Sequence, residues 1–183
     1  MAFALVQEDG SGLATANSYA SVADGDAYHA GHLYATKWTG ATDANKAVAL
    51  VMATRLIDSY CRFLGLRKTD TQALQWPRIE VPDRESAANE SDLARLGVIA
   101  PVYLSSETVP QCVIDATCEE ARALLTADRT ANPTGEGLTS SVVDDSKFVF
   151  DKTDRPPVIT ATAQALLRRV VTGGAGQARL VRA

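Results

Sequence analysis

The sequence predicts a mainly α-helical protein with a small helical bundle core, a long inter-helix loop, a short β-strand or hairpin, and an extended C-terminal helix and tail. Apolar residues recur at steps of three and four over residues 43–64 and 110–127, which indicates two amphipathic helices. The polar insertion between them, residues 65–109, contains three prolines and is much longer than an ordinary connection. A small helical core with long loops is typical of proteins that act through their surfaces.

The length of the chain predicts a single domain with appendages. A chain of 183 residues buries roughly 70% of its unfolded surface, but it is short for two independent cores. We therefore expect a helical core over residues 1–154, which carries the insertion 65–109. Residues 155–183 are expected to form a C-terminal helix and a flexible basic tail.

The N-terminal elements are predicted to be a short strand and a first helix. Residues 3–7 have the composition of a strand. Ser21 and Asp24 form a capping-box pattern that begins a helix over residues 22–33, and Gly25 weakens its middle. The residues expected to share the apolar face of this helix are Val22, Ala23, Ala27, Ala30 and Leu33.

The second and third helices have the strongest patterns in the chain. Thr42 or Asp43 can cap the second helix, and Gly65 offers a stop at its end. Pro110 suits the first turn of the third helix, and we expect the two helices to pack as antiparallel partners. Their expected apolar faces are Ala47, Val48, Leu50, Val51, Thr54, Ile57, Cys61 and Leu64 in the second helix, and Val113, Ile114, Thr117, Cys118, Ala121, Leu124 and Leu125 in the third.

Three smaller elements complete the predicted fold. Residues 91–96 favour a short helical turn inside the insertion, and the alternation over residues 141–150 favours a strand or a hairpin. Pro156 and Pro157 precede a last helix, which the glycines at 173–174 are expected to end. The apolar side of that helix is expected to contain Ile159, Ala163, Leu166, Leu167 and Val170.

The charge distribution predicts a soluble, acidic protein with a basic C-terminal segment. The net charge is −4 and the pI is near 5.2, yet residues 155–183 contain five arginines and no acid. Such an asymmetry directs a terminus toward an acidic partner surface. No apolar run approaches the roughly 20 residues that span a bilayer, and the N-terminus lacks a secretory signal pattern, so we expect no membrane partner.

No pattern indicates a catalytic residue or a metal site. Asp26, His29 and His32 drift around one helix, and no further ligand completes a metal shell. The sequence contains no Gly-x-Ser-x-Gly elbow and no cysteine-protease signature. Glu119 and Glu120 are expected to lie on a solvated helix face, where they would not act as an acid–base pair.

The cysteines and the glycine-rich segment have structural explanations. Cys61, Cys112 and Cys118 lack short metal-type spacing and are expected to be reduced, packed thiols. Residues 173–176 look like a phosphate loop, but they follow a helix and lack the Lys-Ser/Thr pair of that motif. We therefore expect a helix terminator and hinge there, and no bound cofactor.

A nucleic-acid site is the main alternative among the binding functions. Arg62, Arg67 and Lys68 cluster near the end of the second helix. Trp76 and Arg78 follow, and aromatic and basic side chains together are typical of single-strand binding surfaces. The insertion nevertheless contains seven acids against five bases, and an acidic protein releases few counterions when it meets DNA.

Trp76 and Pro77 are expected to form a structural anchor. Proline restricts the preceding residue to extended conformations. A large ring between Leu74 and Ile79 more often fixes a loop to its helices than displays a platform for a ligand. We therefore predict that Trp76 is buried and holds the insertion against the second and third helices.

Several segments resemble a family of tailed-phage proteins often labelled DnaT-like single-stranded-DNA-binding proteins. Over roughly residues 15–127 the chain is similar to that family, whose fold and genome context resemble those of siphophage head-to-tail adaptors. The Trp-Pro-Arg sequence is the most specific part of the resemblance. The segments that carry it are Asn17-Ser18-Tyr19, Ala27-Tyr28, residues 53–58, residues 72–78 and Val109-Pro110.

The resemblance implies a structural adaptor that has neither catalysis nor a cofactor. It implies a dodecameric ring of this chain in the virion neck, assembled in the host cytoplasm, with the portal protein above it. The further partner would be the next neck or tail-completion protein, and genome DNA would pass through the channel without specific binding. Residues 1–154 would then be the adaptor core. The alternative function is a single-stranded-DNA-binding replication accessory protein.

The C-terminal segment is the candidate contact for the portal protein. Its arginines suit an acidic surface, and its apolar residues gain nothing from exposure in a free tail. We expect the last helix and the tail to become ordered only on binding; the alternative is that the helix packs on the chain's own core. The candidate portal-binding residues are Arg168, Arg169, Arg179, Leu180, Val181 and Arg182.

Overall fold

The fold is mainly α-helical, as the sequence predicts. A computed structural model describes residues 4–86, 97, 100–131, 140–143, 146–149 and 157–172. Across these ranges, the helices are α1 (Val22–Ala30), α2 (Thr36–Thr39), α3 (Asp43–Tyr60), α4 (Gln111–Leu124) and α5 (Ala161–Leu167). The strands are β1 (Leu66–Arg67), β2 (Arg78–Ile79), β3 (Ser140–Val143) and β4 (Ser146–Val149).

The strands form two small antiparallel hairpins. β1 pairs with β2, so that Leu66 lies opposite Ile79 and Arg67 lies opposite Arg78. β3 pairs with β4, which confirms the hairpin predicted over residues 141–150.

The strand predicted over residues 3–7 is wrong for residues 4–7, which the structure describes. Gln7 makes an isolated parallel bridge to Ser18. The Val6 N–H donates to the side chain of Asn17, whose Oδ1 accepts at 2.8 Å. A side-chain bond of this kind competes with a strand ladder.

α1 begins as predicted but buries a different face. Ser21 Oγ accepts from Asp24 N, and Asp24 Oδ2 accepts from Ser21 N, which completes the capping box. The helix ends at Ala30, three residues before the predicted end, and Leu33 is 83% exposed. The buried residues of α1 are Gly25 and His29, whereas Ala23, Ala27 and Ala30 are exposed.

The indole of Trp38 explains the different face. A Cβ added at Gly25 would lie 2.3 Å from Cζ2 of Trp38, so only glycine leaves room for this ring. The glycine that weakens the helix pattern therefore creates its packing surface. Neither Trp38 nor the short helix α2 that carries it is part of the sequence prediction.

α3 follows its prediction closely in the middle and ends earlier. Thr42 Oγ1 accepts from Asn45 N and caps the helix. The chain becomes extended at Cys61, so the helix ends at Tyr60 and not near Gly65, which has a φ of +69° in the turn before β1. The buried residues are Lys46, Ala49, Leu50, Val51, Ala53, Thr54 and Ile57, while Val48 is exposed, contrary to the prediction.

α4 confirms the third helix but corrects the placement of two carboxylates. Pro110 is the N-cap residue, and the helix buries Val113, as predicted. Glu119 and Glu120, expected on a solvated face, are both buried. The reason is that an arginine of the same helix, together with basic groups and a backbone N–H from other segments, meets them, as described below.

The described residues form two core clusters, and α3 and α4 contribute to both. The Trp76 cluster contains Ala16, Tyr19, Ile57, Phe63, Leu74, Trp76, Val81, Val109, Val113, Ala116, Ile159, Ala163, Leu167, Val170 and Val171. The Trp38 cluster contains Ala20, Trp38, Ala49, Leu50, Ala53, Cys118 and Ala121. Ile114 packs against both clusters, so the two are continuous through α4.

α5 packs into the Trp76 cluster. Thr160 Oγ1 accepts from Ala163 N at the start of the helix, and Ala163 and Leu167 face the core. This packing corresponds to the alternative in which the last helix lies on the chain's own core, and the expectation that it orders only on binding is wrong for α5. The helix ends at Leu167, before the predicted stop at 173–174.

Three predicted features lie outside the described residues. They are the helical turn at 91–96, the glycine hinge at 173–176 and the tail that follows it.

Candidate nucleic-acid and partner surfaces

Trp76 is buried, as the sequence predicts. Its side chain is fully buried, and its ring meets Phe63 edge-on at a centroid distance of 5.8 Å. The backbone N–H groups of Gln75 and Trp76 both donate to the hydroxyl of Tyr19, at 3.1 and 3.2 Å. The bond between Trp76 and Pro77 is cis. A ring in this position fixes the insertion to the core and has no face free for a base.

Arg78 also serves the fold. Its Nε donates to Leu64 O and its Nη2 donates to Gly65 O, both at 2.7 Å, while Nη1 donates to Gln75 O at 3.1 Å. Burial lowers the pKa of this guanidinium. Because these donors are directed at the protein backbone, Arg78 closes the turn between α3 and β1 and has little capacity left for a phosphate.

The segments that carry the family resemblance converge on one polar link. The Tyr19 hydroxyl donates to one oxygen of Asp58, and the Gln75 N–H donates to the other at 3.1 Å. Burial raises the pKa of Asp58 to about 6 and that of Tyr19 well above its ordinary value. These residues therefore connect the N-terminal segment, α3 and the insertion, which is a structural role.

His29 and Asp26, two of the side chains considered as metal ligands, have hydrogen-bond partners within the chain. The Nε2 atom of His29 lies 3.1 Å from the carbonyl of Cys118, and burial lowers the pKa of the ring. Asp26 accepts hydrogen bonds from Trp38 Nε1 and Lys46 Nζ at 2.8 and 2.7 Å. Among the residues that the structure describes, no group of three or more His, Cys, Asp or Glu side chains could hold a metal ion.

The buried carboxylates of α4 have partners both within the helix and in other segments. Glu119 pairs with Arg122, and its Oε2 lies 3.8 Å from Nε2 of His32. Glu120 Oε2 accepts from the Thr160 N–H at 2.8 Å, and Oε1 lies 3.9 Å from Nε of Arg129. Burial raises the pKa of Glu120.

The three cysteines are free thiols that are buried or half-buried in the fold. Cys118 is buried, and Cys61 and Cys112 are half-buried. Burial raises the pKa of Cys61 and Cys112 to about 11 and that of Cys118 to about 12, so none is a reactive thiolate near neutral pH.

Several of the basic side chains are engaged by carboxylates of the same chain. Lys68 Nζ lies 2.6 Å from Glu107, although the sequence groups it with a nucleic-acid surface. Arg169, a candidate portal contact, lies 2.8 Å from Glu85 and 3.4 Å from Asp83. Within the part of the chain that the structure describes, the Lys and Arg residues with a carboxylate partner are Lys46, Lys68, Arg122, Arg129 and Arg169.

The other candidate portal contacts divide into two groups. Arg168 is exposed at the end of α5, where it is available to a partner. Arg179, Leu180, Val181 and Arg182 lie outside the described residues. The structure therefore leaves Arg168 as the accessible candidate within its described part.

The end of α3 and the strand β1 expose aromatic, apolar and basic side chains within eight residues of the sequence. Tyr60 is 58% exposed and Leu66 is 59% exposed, and Arg62 and Arg67 are exposed beside them in the sequence. Arg67 donates to the carbonyl of Gln72, and this neutral acceptor does not neutralise the charge of the guanidinium. The side chain of Arg62 has no hydrogen bond or ion pair to the described residues.

Two of the connecting segments also expose large apolar side chains. Leu33 and Tyr34 are strongly exposed between α1 and α2. Val102 and Tyr103 are exposed where the insertion returns toward α4. Within the described residues, no helix has the length and apolar character needed to cross a membrane.

A family model described as "Putative DnaT-like ssDNA binding protein" matches residues 3–183 of the chain. No curated protein and no solved structure matches it.

Proposed function

The chain belongs to the DnaT-like ssDNA-binding protein family, and from this premise we propose that it is a structural head-to-tail adaptor of a tailed phage. As an adaptor it forms a ring under the portal protein, bridges the portal to the next neck or tail-completion protein, and lets DNA pass. It needs neither a catalytic residue nor a cofactor. The family description covers DNA binding, and the adaptor role is our extension of it.

The state of the basic side chains supports this proposal over tight DNA binding. Lys68 and Arg169 are paired with carboxylates, and Arg78 is directed at backbone carbonyls. Each phosphate that a protein neutralises contributes to affinity by counterion release, so a cation that is already paired within the chain adds little to the affinity for DNA. Weak contact is what a channel requires, since DNA must move through it.

The exposed apolar side chains support an assembly role. Leu33 and Tyr34 lie on one connection, and Val102 and Tyr103 lie on another. Exposed apolar surface at separate places is typical of a subunit that meets more than one protein neighbour. In the adaptor these neighbours are two copies of the chain, the portal protein, which Arg168 can contact, and the downstream component.

A single-stranded-DNA-binding accessory protein is the second candidate. The description of the matched family names this activity and no phage component, so the comparison alone favours it over the adaptor. The exposed Tyr60, Arg62 and Arg67 are the structural observation in its favour. The burial of Trp76 removes the ring that the sequence offers as the most obvious stacking platform.

Co-assembly with the portal protein encoded nearest to this chain tests the proposal. The two proteins are mixed, sedimented together, and imaged by negative-stain electron microscopy. The adaptor function predicts an additional ring on the portal. In parallel, sub-micromolar affinity for single strands at physiological salt, without any portal complex, would establish the second candidate and reject the first.

A further inference from the structure

The eight residues from the end of α3 to the end of β1 carry positive charge without a matching acid. Residues 60–67 contain Arg62 and Arg67 and neither aspartate nor glutamate. Both arginines are exposed. In the sequence, the exposed Tyr60 precedes them and the exposed Leu66 lies between them. Exposed arginines a few residues from an exposed aromatic ring are the combination of side chains that binds phosphate and base together.

The hairpin register increases the local positive charge. Arg67 of β1 lies directly opposite Arg78 of β2. Like charges at opposite positions of a hairpin repel each other, and the positive charge of Arg67 contributes to the lowered pKa of Arg78. Because Arg78 is directed inward at the carbonyls of Leu64 and Gly65, Arg67 is the member of the pair that faces solvent. An anion at Arg67 relieves this repulsion.

A buried acid compensates only part of that charge. The negative charge of Asp58 acts electrostatically on both arginines of the hairpin. Its two oxygens, however, are occupied by the Tyr19 hydroxyl and the Gln75 N–H. The outward side of Arg67 therefore remains open to an external anion.

We propose that Tyr60, Arg62 and Arg67 form the DNA contact of this chain, in which the two arginines bind backbone phosphates and the tyrosine ring meets an unpaired base. This inference rests on the proposed function in one respect: both the adaptor and the single-stranded-DNA-binding protein bring DNA to this chain. The shared ligand chemistry is the phosphate backbone. A single strand also offers bases to Tyr60, whereas a duplex in a channel does not.

Four proteins are compared by fluorescence anisotropy: the wild type, Arg62→Gln/Arg67→Gln, Tyr60→Ala, and Arg55→Gln as the matched control. Arg55 is an exposed arginine on α3, and its side chain makes no hydrogen bond or ion pair to the described residues. The probes are a labelled oligothymidine of about 30 nucleotides and a duplex of the same length, at about 50 mM and about 200 mM salt.

Weak binding of the wild type to both probes is expected at the lower salt, and it should fall steeply at the higher salt. Removal of two phosphate contacts should lower affinity about tenfold and reduce the salt slope by about 1.4 for the single strand. Arg55→Gln should stay within about twofold of the wild type. A loss of about tenfold in Tyr60→Ala with the single strand alone identifies the single strand as the ligand that uses this ring. An equal response of both probes to Tyr60→Ala, including no response, would show that the ring meets no unpaired base and would overturn the role given to Tyr60.

Two results would overturn the inference. If Arg62→Gln/Arg67→Gln retains the affinity and the salt slope of the wild type, DNA binds elsewhere on the chain. If the wild type binds neither probe at the lower salt, the chain has no DNA contact. The adaptor function is then decided separately, by the co-assembly experiment with the portal protein. Circular dichroism checks the fold of each variant, and Arg62→Gln alone serves if the loss of the Arg67 bond to Gln72 destabilises the double variant.

Discussion

Trp76 illustrates what a single residue can reveal from sequence. The proline that follows it and the apolar residues on either side predict a loop anchor, and the side chain is fully buried. Trp38 is equally buried, but nothing in its neighbourhood signals this, because its partner Gly25 lies on another helix. Local pattern identifies an apolar anchor; it does not identify the distant glycine that makes room for one.

Replacement of Trp76 by alanine is predicted to destabilise the protein strongly. Removing a fully buried large aromatic side chain costs about 3–5 kcal/mol, because the cavity it leaves collapses only in part. Urea unfolding followed by circular dichroism measures this change. Tyr34→Ala is the matched control, since Tyr34 is an exposed aromatic residue and should change stability by no more than about 0.5 kcal/mol. Equal stabilities of the two variants would exclude the anchor role.

The buried carboxyl of Asp58 predicts a pH dependence of stability. Its pKa of about 6 in the folded protein exceeds its ordinary value of 3.8 because burial disfavours the charged form. The folded state therefore holds the proton more tightly, and the contribution of Asp58 to stability is fully present below pH 3.8 and lost as the pH rises through about 6.

The test of this pH dependence compares the wild type with Asp58→Asn. The difference between their free energies of unfolding should shift in favour of the wild type as the pH falls from about 7 to about 4.5, with a slope of at most about 1.4 kcal/mol per pH unit. Urea titrations at several pH values measure it. A difference that stays constant over this range would show that Asp58 titrates normally.

At the scale of elements, the centres of the helices are predictable and their ends are not. The buried positions Leu50, Val51, Thr54 and Ile57 of α3 follow from spacing, because the core requires a regular stripe. The end at Tyr60 depends on the hairpin beyond it, where the chain must turn to place β1 against β2. Long-range pairing of this kind leaves no local signal in the sequence.

The burial of Glu120 shows why the packing of α5 escapes a sequence-based prediction. A carboxylate on a helix is normally solvated, and it becomes a buried acceptor only when a distant segment supplies donors. Here the Thr160 N–H, forty residues away, donates to Glu120 at the start of α5. Arg129 donates to Val158 O at 3.1 Å and also to Pro157 O, which holds the same connection.

Glu120 is therefore predicted to fasten α5 to α4. Glu120→Gln keeps an oxygen for the Thr160 N–H and removes a buried charge, so its stability should lie close to that of the wild type. Glu120→Ala leaves that N–H unpaired and should cost about 1–3 kcal/mol more than the glutamine variant. Chemical denaturation of both variants gives the comparison, and equal destabilisation of the two would contradict a hydrogen-bonded fastening.

At the scale of the whole molecule, the candidate site is predicted only in part. The sequence groups Arg62, Arg67 and Lys68 by proximity, but the fold pairs Lys68 with Glu107 and leaves the two arginines exposed. Tyr60 enters the site because α3 ends there and the chain becomes extended. Basic clusters can be found from sequence, whereas the acids that neutralise some of them come from segments far along the chain.

The two core clusters predict how the described fold unfolds as a whole. α3 contributes Leu50 to the Trp38 cluster and Ile57 to the Trp76 cluster, and Ile114 of α4 contacts both. Since neither helix can lose one cluster without weakening the other, the clusters should unfold in one cooperative transition. The chain offers a direct test, because it contains two tryptophans and each cluster holds one.

Trp38→Phe and Trp76→Phe each leave a single fluorescent reporter, in the Trp76 cluster and the Trp38 cluster respectively. Either replacement should destabilise the protein, because a smaller ring leaves a cavity, but within each variant fluorescence and far-UV circular dichroism should give the same urea midpoint. The fluorescence and circular-dichroism midpoints must agree in both variants, because each variant reports on a different cluster. An earlier fluorescence midpoint in Trp76→Phe, with most helical signal retained, would mean that the Trp38 cluster melts first and that α3 and α4 do not couple the two.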